Sequence, residues 1–322
     1  MATYRQSFLI YNPYAGALRR RSHALERSIQ RLALQGISVE AIPTPGPRSA
    51  AEIARGIAAR GADLILVAGG DGTINEVVNG MAGSAVPLGI LPAGTANVLA
   101  NELGIARNME RAAESVVHWV KERVALGLLA TATGETPRYF LLMAGAGLDA
   151  DVVYHVNPRT KEALGKIAYW IAGLAKFGQR LPEFTVECEG RAHRTSFALV
   201  SRVRNYGGDL EIAPTISLLD DEFEVVLFEG STSLPYVKYM LGVVARRTSA
   251  MRGVTILRTR KALLSGTDRG QVYVQVDGES AGLLPASVEL VPNALTLLVP
   301  PGFRARRPAR VEEAAWTTSP TR

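Results

Sequence analysis

The chain of 322 residues contains one cysteine, Cys188. A single thiol excludes a disulfide framework and a cysteine-ligated zinc site. The four histidines, His23, His118, His155 and His193, are nowhere paired at metal-ligand spacing. No stretch holds ~18 uninterrupted apolar residues, so no membrane-spanning helix is predicted. The opening MATYRQSFLIYNP leads directly into a strand pattern, without the apolar segment of a signal peptide. A P-loop is missing too, because no glycine-rich run ends in Gly-Lys-Ser or Gly-Lys-Thr. No internal repeat is present. These absences leave a reduced, cytoplasmic enzyme as the expectation.

Hydrophobic residues make up 47% of the chain, enough to bury an ordinary globular core. Net charge is +6, with basic clusters at Arg19–Arg21, Arg246–Arg247, Arg258–Lys261 and Arg304–Arg310. Each cluster alone reads as solvated surface. Together they favour anionic partners such as a nucleotide or an anionic membrane surface. A nucleic-acid role has only this charge behind it and is not adopted.

The first third alternates strand and helix patterns. Strands are expected at Phe8–Tyr11, Ile37–Ile42, Leu64–Ala68 and Pro87–Leu91. Helices are expected around Leu18–Leu32, Ala50–Ala59, Ala96–Leu103 and Arg111–Lys121. Such alternation implies a parallel sheet with helices on both faces, and ligands bind outside the carboxyl ends of its strands. Beyond about residue 122, short strand-like runs dominate: Val124–Thr131, Tyr139–Ala144, Phe184–Cys188, Ser196–Val203, Phe223–Phe228, Val254–Thr259, Val272–Val276, Val288–Val291 and Leu295–Val299. They suggest a β-sandwich, interrupted by helices near Thr160–Phe177 and Ser233–Ala245. The expected organisation is an α/β nucleotide domain over 1–122 and a β-sandwich domain over 123–293. The last strand, near 294–302, is free to return to the first domain, and 304–322 reads as a disordered basic tail.

The most informative stretch is LILVAGGDGTINEVVNG, Leu64 to Gly80. A continuous apolar run suits a strand buried on both faces. After Gly72 the period changes: Ile74, Val77, Val78 and Met81 lie on one helix face, with Thr73 and Glu76 spaced as a capping box. The glycines therefore sit in a strand-to-helix turn, where bare backbone and a helix start favour an anion, usually phosphate. Asp71 in that setting makes sense beside a cation or as a proton acceptor; the plain alternative is a helix-capping acid. Asn12-Pro13-Tyr14-Ala15-Gly16 and Pro92-Ala93-Gly94-Thr95 fall at the same sheet edge.

The ordered set YNPYAG, GGDGTINEVVNG, LGILPAGTANVLANELG and VDGES resembles the diacylglycerol kinase catalytic-domain family, nearest its bacterial soluble branch. The resemblance extends to about Gly302. It implies an ATP- and Mg²⁺-dependent lipid kinase with a nucleotide domain, a β-sandwich domain and an active site between them. ATP contacts are carried over to Asn12, Pro13, Tyr14, Ala15, Gly16, Thr44, Gly70, Asp71, Gly72, Thr73, Ile74, Asn75, Glu76 and Thr95. Asn97 follows as a residue that holds its loop or merely caps a helix. The resemblance makes one carboxylate of Asp277 and Glu279 the general base; Glu279 is favoured, and Asp71 and Asp277 suit Mg²⁺. The bacterial branch also carries a structural Mg²⁺, which maps onto Asp220 with the carbonyls of Ser217 and Glu222. Here Asp221 follows where that branch has glycine, and a solvated acidic turn is the alternative.

Asp149, in GAGLDADVV at the expected domain junction, is a candidate for the substrate head group. The lipid would reach its site from a membrane surface by peripheral contact. The helix of Tyr236, Val237, Met240, Leu241, Val243 and Val244, ending in Arg246 and Arg247, suits that role, and sandwich core is its plainer reading. An oligomer is compatible with the sequence. The alternatives are an NAD kinase, which shares GGDGT, and a catalytically silent lipid- or nucleotide-binding module.

Overall fold

The computed structural model describes residues 4–20, 23–133, 136–155, 180–207, 210–232, 234–266 and 270–306. The chain begins with β1 (Ser7–Tyr11), α1 (Gly16–Arg20), α2 (Ala24–Leu34), β2 (Val39–Pro43), α3 (Ala50–Ala59), β3 (Leu64–Gly69), α4 (Asp71–Met81), β4 (Pro87–Pro92), α5 (Val98–Leu103) and α6 (Met109–Ser115). Strands then prevail: β5 (Val120–Thr131), β6 (Arg138–Phe140), β7 (Met143–Gly147), α7 (Leu148–His155), β8 (Phe184–Cys188), β9 (Arg191–Thr195), β10 (Phe197–Ser201), β11 (Asn205–Tyr206) and β12 (Leu210–Glu211). The remainder is β13 (Phe223–Phe228), α8 (Leu234–Val244), β14 (Val254–Thr259), β15 (Lys261–Ser265), β16 (Tyr273–Val276), β17 (Glu279–Leu283) and β18 (Ala286–Val299).

β2, β1, β3 and β4 pair in parallel in that order. Every residue of β3 and β4 is buried, which explains their continuous apolar runs. β18 joins this sheet: Thr296 and Leu297 pair in parallel with Pro87 and Leu88. Along its other side β18 runs antiparallel to β5 from Val120 to Thr131. β15, β8 and β9 then extend the sheet, all antiparallel. A second antiparallel sheet has the order β14-β13-β10-β7-β16-β17. The two antiparallel regions share a core in which Val186, Leu264, Val288 and Leu129 meet Ala146, Val200, Val225 and Val274. The fold is thus an α/β parallel sheet followed by a β-sandwich. The division expected at 122/123 falls inside β5, because β5 and β18 are long enough to serve both regions.

Several expected elements differ for local reasons. The single helix expected over Leu18–Leu32 is two, α1 and α2. The helix expected to run to Lys121 ends at Ser115, gives one 3-10 turn over Val116–His118 and becomes β5. The helix expected from Ala96 starts at Val98, because Asn97 is left-handed at φ 49°. The strand expected over Tyr139–Ala144 is broken between β6 and β7, where the amides of Leu141, Leu142 and Met143 turn toward one carboxylate. The two expected final strands are one, β18, with a register shift between Val291 and Leu295. The helix expected at Thr160–Phe177 and the tail beyond residue 306 lie outside the described residues.

Candidate active site

Three loops leave the carboxyl ends of β1, β3 and β4 and are tied together by backbone. Asn12 N–H donates to the Ala68 carbonyl at 3.0 Å, Ala93 N–H to Gly69 at 3.0 Å, and Ala17 N–H to Ala93 at 2.9 Å. Asn12 Nδ2 donates to Thr73 Oγ1 at 3.2 Å, and Asn12 Oδ1 accepts from the Tyr14 amide at 2.9 Å. Backbones approach so closely that a β-carbon on Gly94 would lie 2.5 Å from the Gly70 α-carbon. No side chain fits at that crossing. Asn97 holds the third loop: its Oδ1 accepts from the Gly94 amide at 2.9 Å and its Nδ2 donates to the Gly94 carbonyl at 3.0 Å. Thr95 Oγ1 lies 3.7 Å from the β-position of Gly16, so Asn12–Gly16, Gly70–Thr73 and Thr95 form one cluster. Tyr14 stands 72% exposed at its rim.

Other residues carried over by resemblance serve the scaffold. The expected capping box does not form: α4 begins at Asp71, before Thr73, with no side-chain cap at Gly70. Glu76 instead accepts from the Arg48 amide at 2.8 Å and the Ala50 amide at 3.0 Å, which fixes the start of α3. Ile74 is 3% exposed, and its amide donates to Gly70, so its side chain belongs to the core. Thr44 is buried, with its amide donating to Tyr11 at 2.8 Å. Asp71 is a capping acid, but for α5: its oxygens accept from the Val98 and Leu99 amides at 3.1 and 3.2 Å. Burial raises its carboxyl above the usual value, opposed by these amides.

The acidic turn between β16 and β17 faces this cluster. Asp277 takes a left-handed conformation, φ 48°, and its amide donates to the Met143 carbonyl at 2.9 Å. Its Oδ1 accepts from Met143 and Leu142 at 2.8 and 3.1 Å, and its Oδ2 from Leu141 at 3.3 Å and from Asn75 Nδ2. Burial pushes its carboxyl up to about 6 despite these donors. Asn75 therefore joins the two sides of the cleft rather than offering its amide to a nucleotide. Glu279 differs. Its Oε2 accepts from Arg138 Nη2 at 2.8 Å, while its Oε1 lies 2.8 Å from the position a β-carbon on Gly72 would take. Arg138 Nη1 also donates to the Ser280 carbonyl at 3.1 Å. Among the described residues Oε1 has no hydrogen-bond partner.

Two contributors escaped the sequence reading. Asn79 accepts from the Tyr139 amide at 2.9 Å and donates to the Tyr139 carbonyl at 2.8 Å, so it docks β6 on α4. Its signal was visible: Asn75 and Asn79 are one turn apart on α4, and side-chain amides at a packed junction need partners. Arg138 carried no motif. Asp149 stands in the first turn of α7, with its side chain outside the described part of the structure. A cavity of about 630 Å³ opens beside α8, lined by Glu183, His193, Arg194, Glu229 and Tyr239. It sits on β13 and β14, at the opposite end of the second sheet from Glu279, and shares no residue with the cluster.

The proposed structural metal set is occupied from within. Asp220 Oδ2 accepts from the Ser217 amide at 3.0 Å and from Arg258 Nη1 at 3.1 Å. The Glu222 carbonyl accepts from Arg202 Nη1 at 3.1 Å, and the Ser217 carbonyl from the Asp220 amide at 2.9 Å. No group of three or more acidic, histidine or cysteine side chains among the described residues is arranged to hold a metal ion. Asp220, Ser217 and Glu222 do not fit a cation here.

Glycine loops at a parallel-sheet edge, facing an acidic turn from a sandwich, define a phosphotransferase. The particular family follows from the comparisons, and the chain belongs to it: residues 6–129 match the diacylglycerol kinase catalytic domain. Residues 143–299 match the YegS C-terminal NAD kinase beta sandwich-like domain. A diacylglycerol kinase of Bacillus subtilis (strain 168) is 29% identical over 287 residues, 87% of this chain and 92% of the relative. One of Mycobacterium tuberculosis (strain H37Rv) is 28% identical over 282 residues, covering 86% and 90%. A crystal structure of a diacylglycerol kinase from Bacillus anthracis str. Sterne has the same fold, with a TM-score of 0.75 at 22% identity over 94% of this chain and 99% of that one.

Proposed function

We propose that the chain is an ATP- and Mg²⁺-dependent lipid kinase, which transfers the γ-phosphate to a hydroxyl of a diacylglycerol-like, glycerophospholipid or sphingoid lipid. The observation that carries this reading is Glu279 Oε1, without a hydrogen-bond partner among the described residues and poised over Gly72 at the start of α4. The ATP phosphates settle on the bare backbone of Asn12–Gly16 and Gly70–Thr73, favoured by the α4 N-terminus. Mg²⁺ travels with ATP and offsets phosphate charge. Asp71 would supply oxygen ligands to it, its carboxylate being held in place at the loop by the Val98 and Leu99 amides. Glu279 accepts the proton of the lipid hydroxyl, whose oxygen attacks the γ-phosphorus as ADP leaves. Arg138 holds the other oxygen of Glu279 and so aims the base.

The lipid must come from a bilayer. Leu241 and Val244 of α8 are 62% and 60% exposed, with exposed Arg246 and Arg247 beyond them. Exposed apolar side chains beside cations suit peripheral contact with an anionic surface. Among the described residues no helix is long and apolar enough to cross a membrane.

The test is transfer from labelled ATP to a lipid panel in mixed micelles, with NAD as a competing acceptor. The expected outcome is transfer to one lipid class, lowered ~10²–10⁴-fold in Glu279→Gln. Transfer to NAD alone, or to nothing while ATP still binds, would overturn the reading.

A further inference from the structure

Arg202 is fully buried, an expensive place for a cation. Its four terminal N–H groups are all spent on backbone. Nη1 donates to the carbonyls of Asp220 and Glu222, and Nη2 to those of Leu218 at 2.8 Å and Ala125 at 3.2 Å. Three of these carbonyls belong to the 217–222 loop, and the fourth belongs to β5. Arg258 closes the loop from β14. Its Nη1 reaches Asp220 Oδ2 at 3.1 Å and Glu222 at 3.8 Å. Its Nη2 donates to Thr215 Oγ1 at 2.8 Å and lies 3.5 Å from the buried Glu224.

We propose that an internal guanidinium pair, Arg202 and Arg258, fills the place of a structural cation in the 217–222 loop, so that the loop folds without metal. The donor chemistry is the argument. A divalent cation in this loop would use carboxylate and carbonyl oxygens. The carbonyls of Leu218, Asp220 and Glu222 already surround Arg202, and Asp220 Oδ2 already accepts from Arg258. An ion among them would sit against a guanidinium in a dry interior, where like charges repel strongly. Arginine suits the site because a planar fork of donors meets several fixed acceptors at once. The inference is independent of the kinase reading, and its readouts involve neither ATP nor lipid.

The experiment compares wild-type melting without nucleotide in EDTA and in MgCl₂ or CaCl₂, together with the metal content of the desalted protein. The expected result is an unchanged melting temperature and no stoichiometric metal. Arg202→Ala lowers the melting temperature by about 5 °C or more, since four carbonyls lose their donors. Arg258→Met, which leaves Arg202 in place, lowers it less and serves if Arg202→Ala does not fold. One metal ion retained per chain, or a cation-dependent rise in melting temperature that Asp220→Asn abolishes, would overturn the proposal. So would melting that neither arginine variant alters. A rise that survives Asp220→Asn arises elsewhere and agrees with a metal-free loop.

Discussion

The chain has two acidic turns that look alike as text, VDGES at 276–280 and LLDDEF at 218–223. In the first, Asp277 accepts from three main-chain amides and one asparagine, and Glu279 points one oxygen at Gly72 with no hydrogen-bond partner among the described residues. In the second, Asp220 and its neighbours meet two guanidinium groups. Amide donors hold a carboxylate in place without cancelling its charge, so the first turn can still serve a reaction. Arginine donors neutralise as they hold, so the second turn is a buried brace. The difference lies in partners far away in sequence: Arg258 is 38 residues from Asp220, and Asn75 is 202 from Asp277.

The largest expected effect is a double dissociation between the turns. Glu279→Gln should lower kcat by ~10²–10⁴-fold while melting stays within about 1 °C of wild type, since it is half-exposed and only a partner of Arg138 changes. Asp220→Asn should lower melting by roughly 4–10 °C, because it removes the charge of a buried carboxylate that pairs with Arg258 and accepts from the Ser217 amide. Its turnover at a temperature where it remains folded should stay within about threefold of wild type. Steady-state kinetics and thermal melts on both variants decide it. Loss of turnover in a fully stable Asp220→Asn protein would erase the contrast.

A smaller effect sharpens the role of the first turn. A methyl on Gly72 would lie 2.8 Å from Glu279 Oε1, so Gly72→Ala must push the carboxylate aside. Gly72 is helical with no positive φ, and alanine favours a helix over glycine by ~1 kcal/mol. The variant should therefore melt no lower than wild type, yet lose about tenfold in kcat through misplacement of the base. Unchanged kcat would mean that Glu279 does not act from the position it holds over this loop.

The parallel-sheet region was the more legible of the two regions. Its central strands β3 and β4 are fully buried runs, its helices have one apolar face, and its glycines mark the crossing of Gly70 and Gly94. All of these follow from local spacing. The sandwich was legible as many short strands, but their joins were not. The break between β6 and β7 depends on Asp277, more than 130 residues later, and β18 crosses both regions through pairings that no local pattern encodes. At the site, motif and spacing singled out the loop glycines, Asp277 and Glu279, which the structure brings together at one cleft. They did not give the directions of Glu76, Ile74 and Asn75, whose side chains face α3, the core and Asp277, because a motif names positions without saying which way they point. Arg138 and Arg202 had no local signature at all, since an arginine in a strand-rich sequence reads as surface until its acceptors are known.

The smallest expected effect concerns pH. Asp277 is raised to about 6 because burial penalises its charged form more than the amides of Met143, Leu141 and Leu142 and the Asn75 side chain favour it. The native state therefore binds this proton more tightly than the unfolded chain, whose carboxyl titrates near the ordinary 3.8. The stabilisation is fully present below about pH 4 and is lost as pH rises through about 6, with a limiting slope of ~1.4 kcal/mol per pH unit for one proton. Asp277→Asn removes the titration but also turns an amide donor toward donors, which adds a pH-independent loss of ~1–3 kcal/mol. Urea midpoints across pH 4 to 7 should show a lower but flatter profile for the variant than for wild type. Parallel profiles would mean that Asp277 is charged throughout, held open by its four donors, and that burial does not govern its proton.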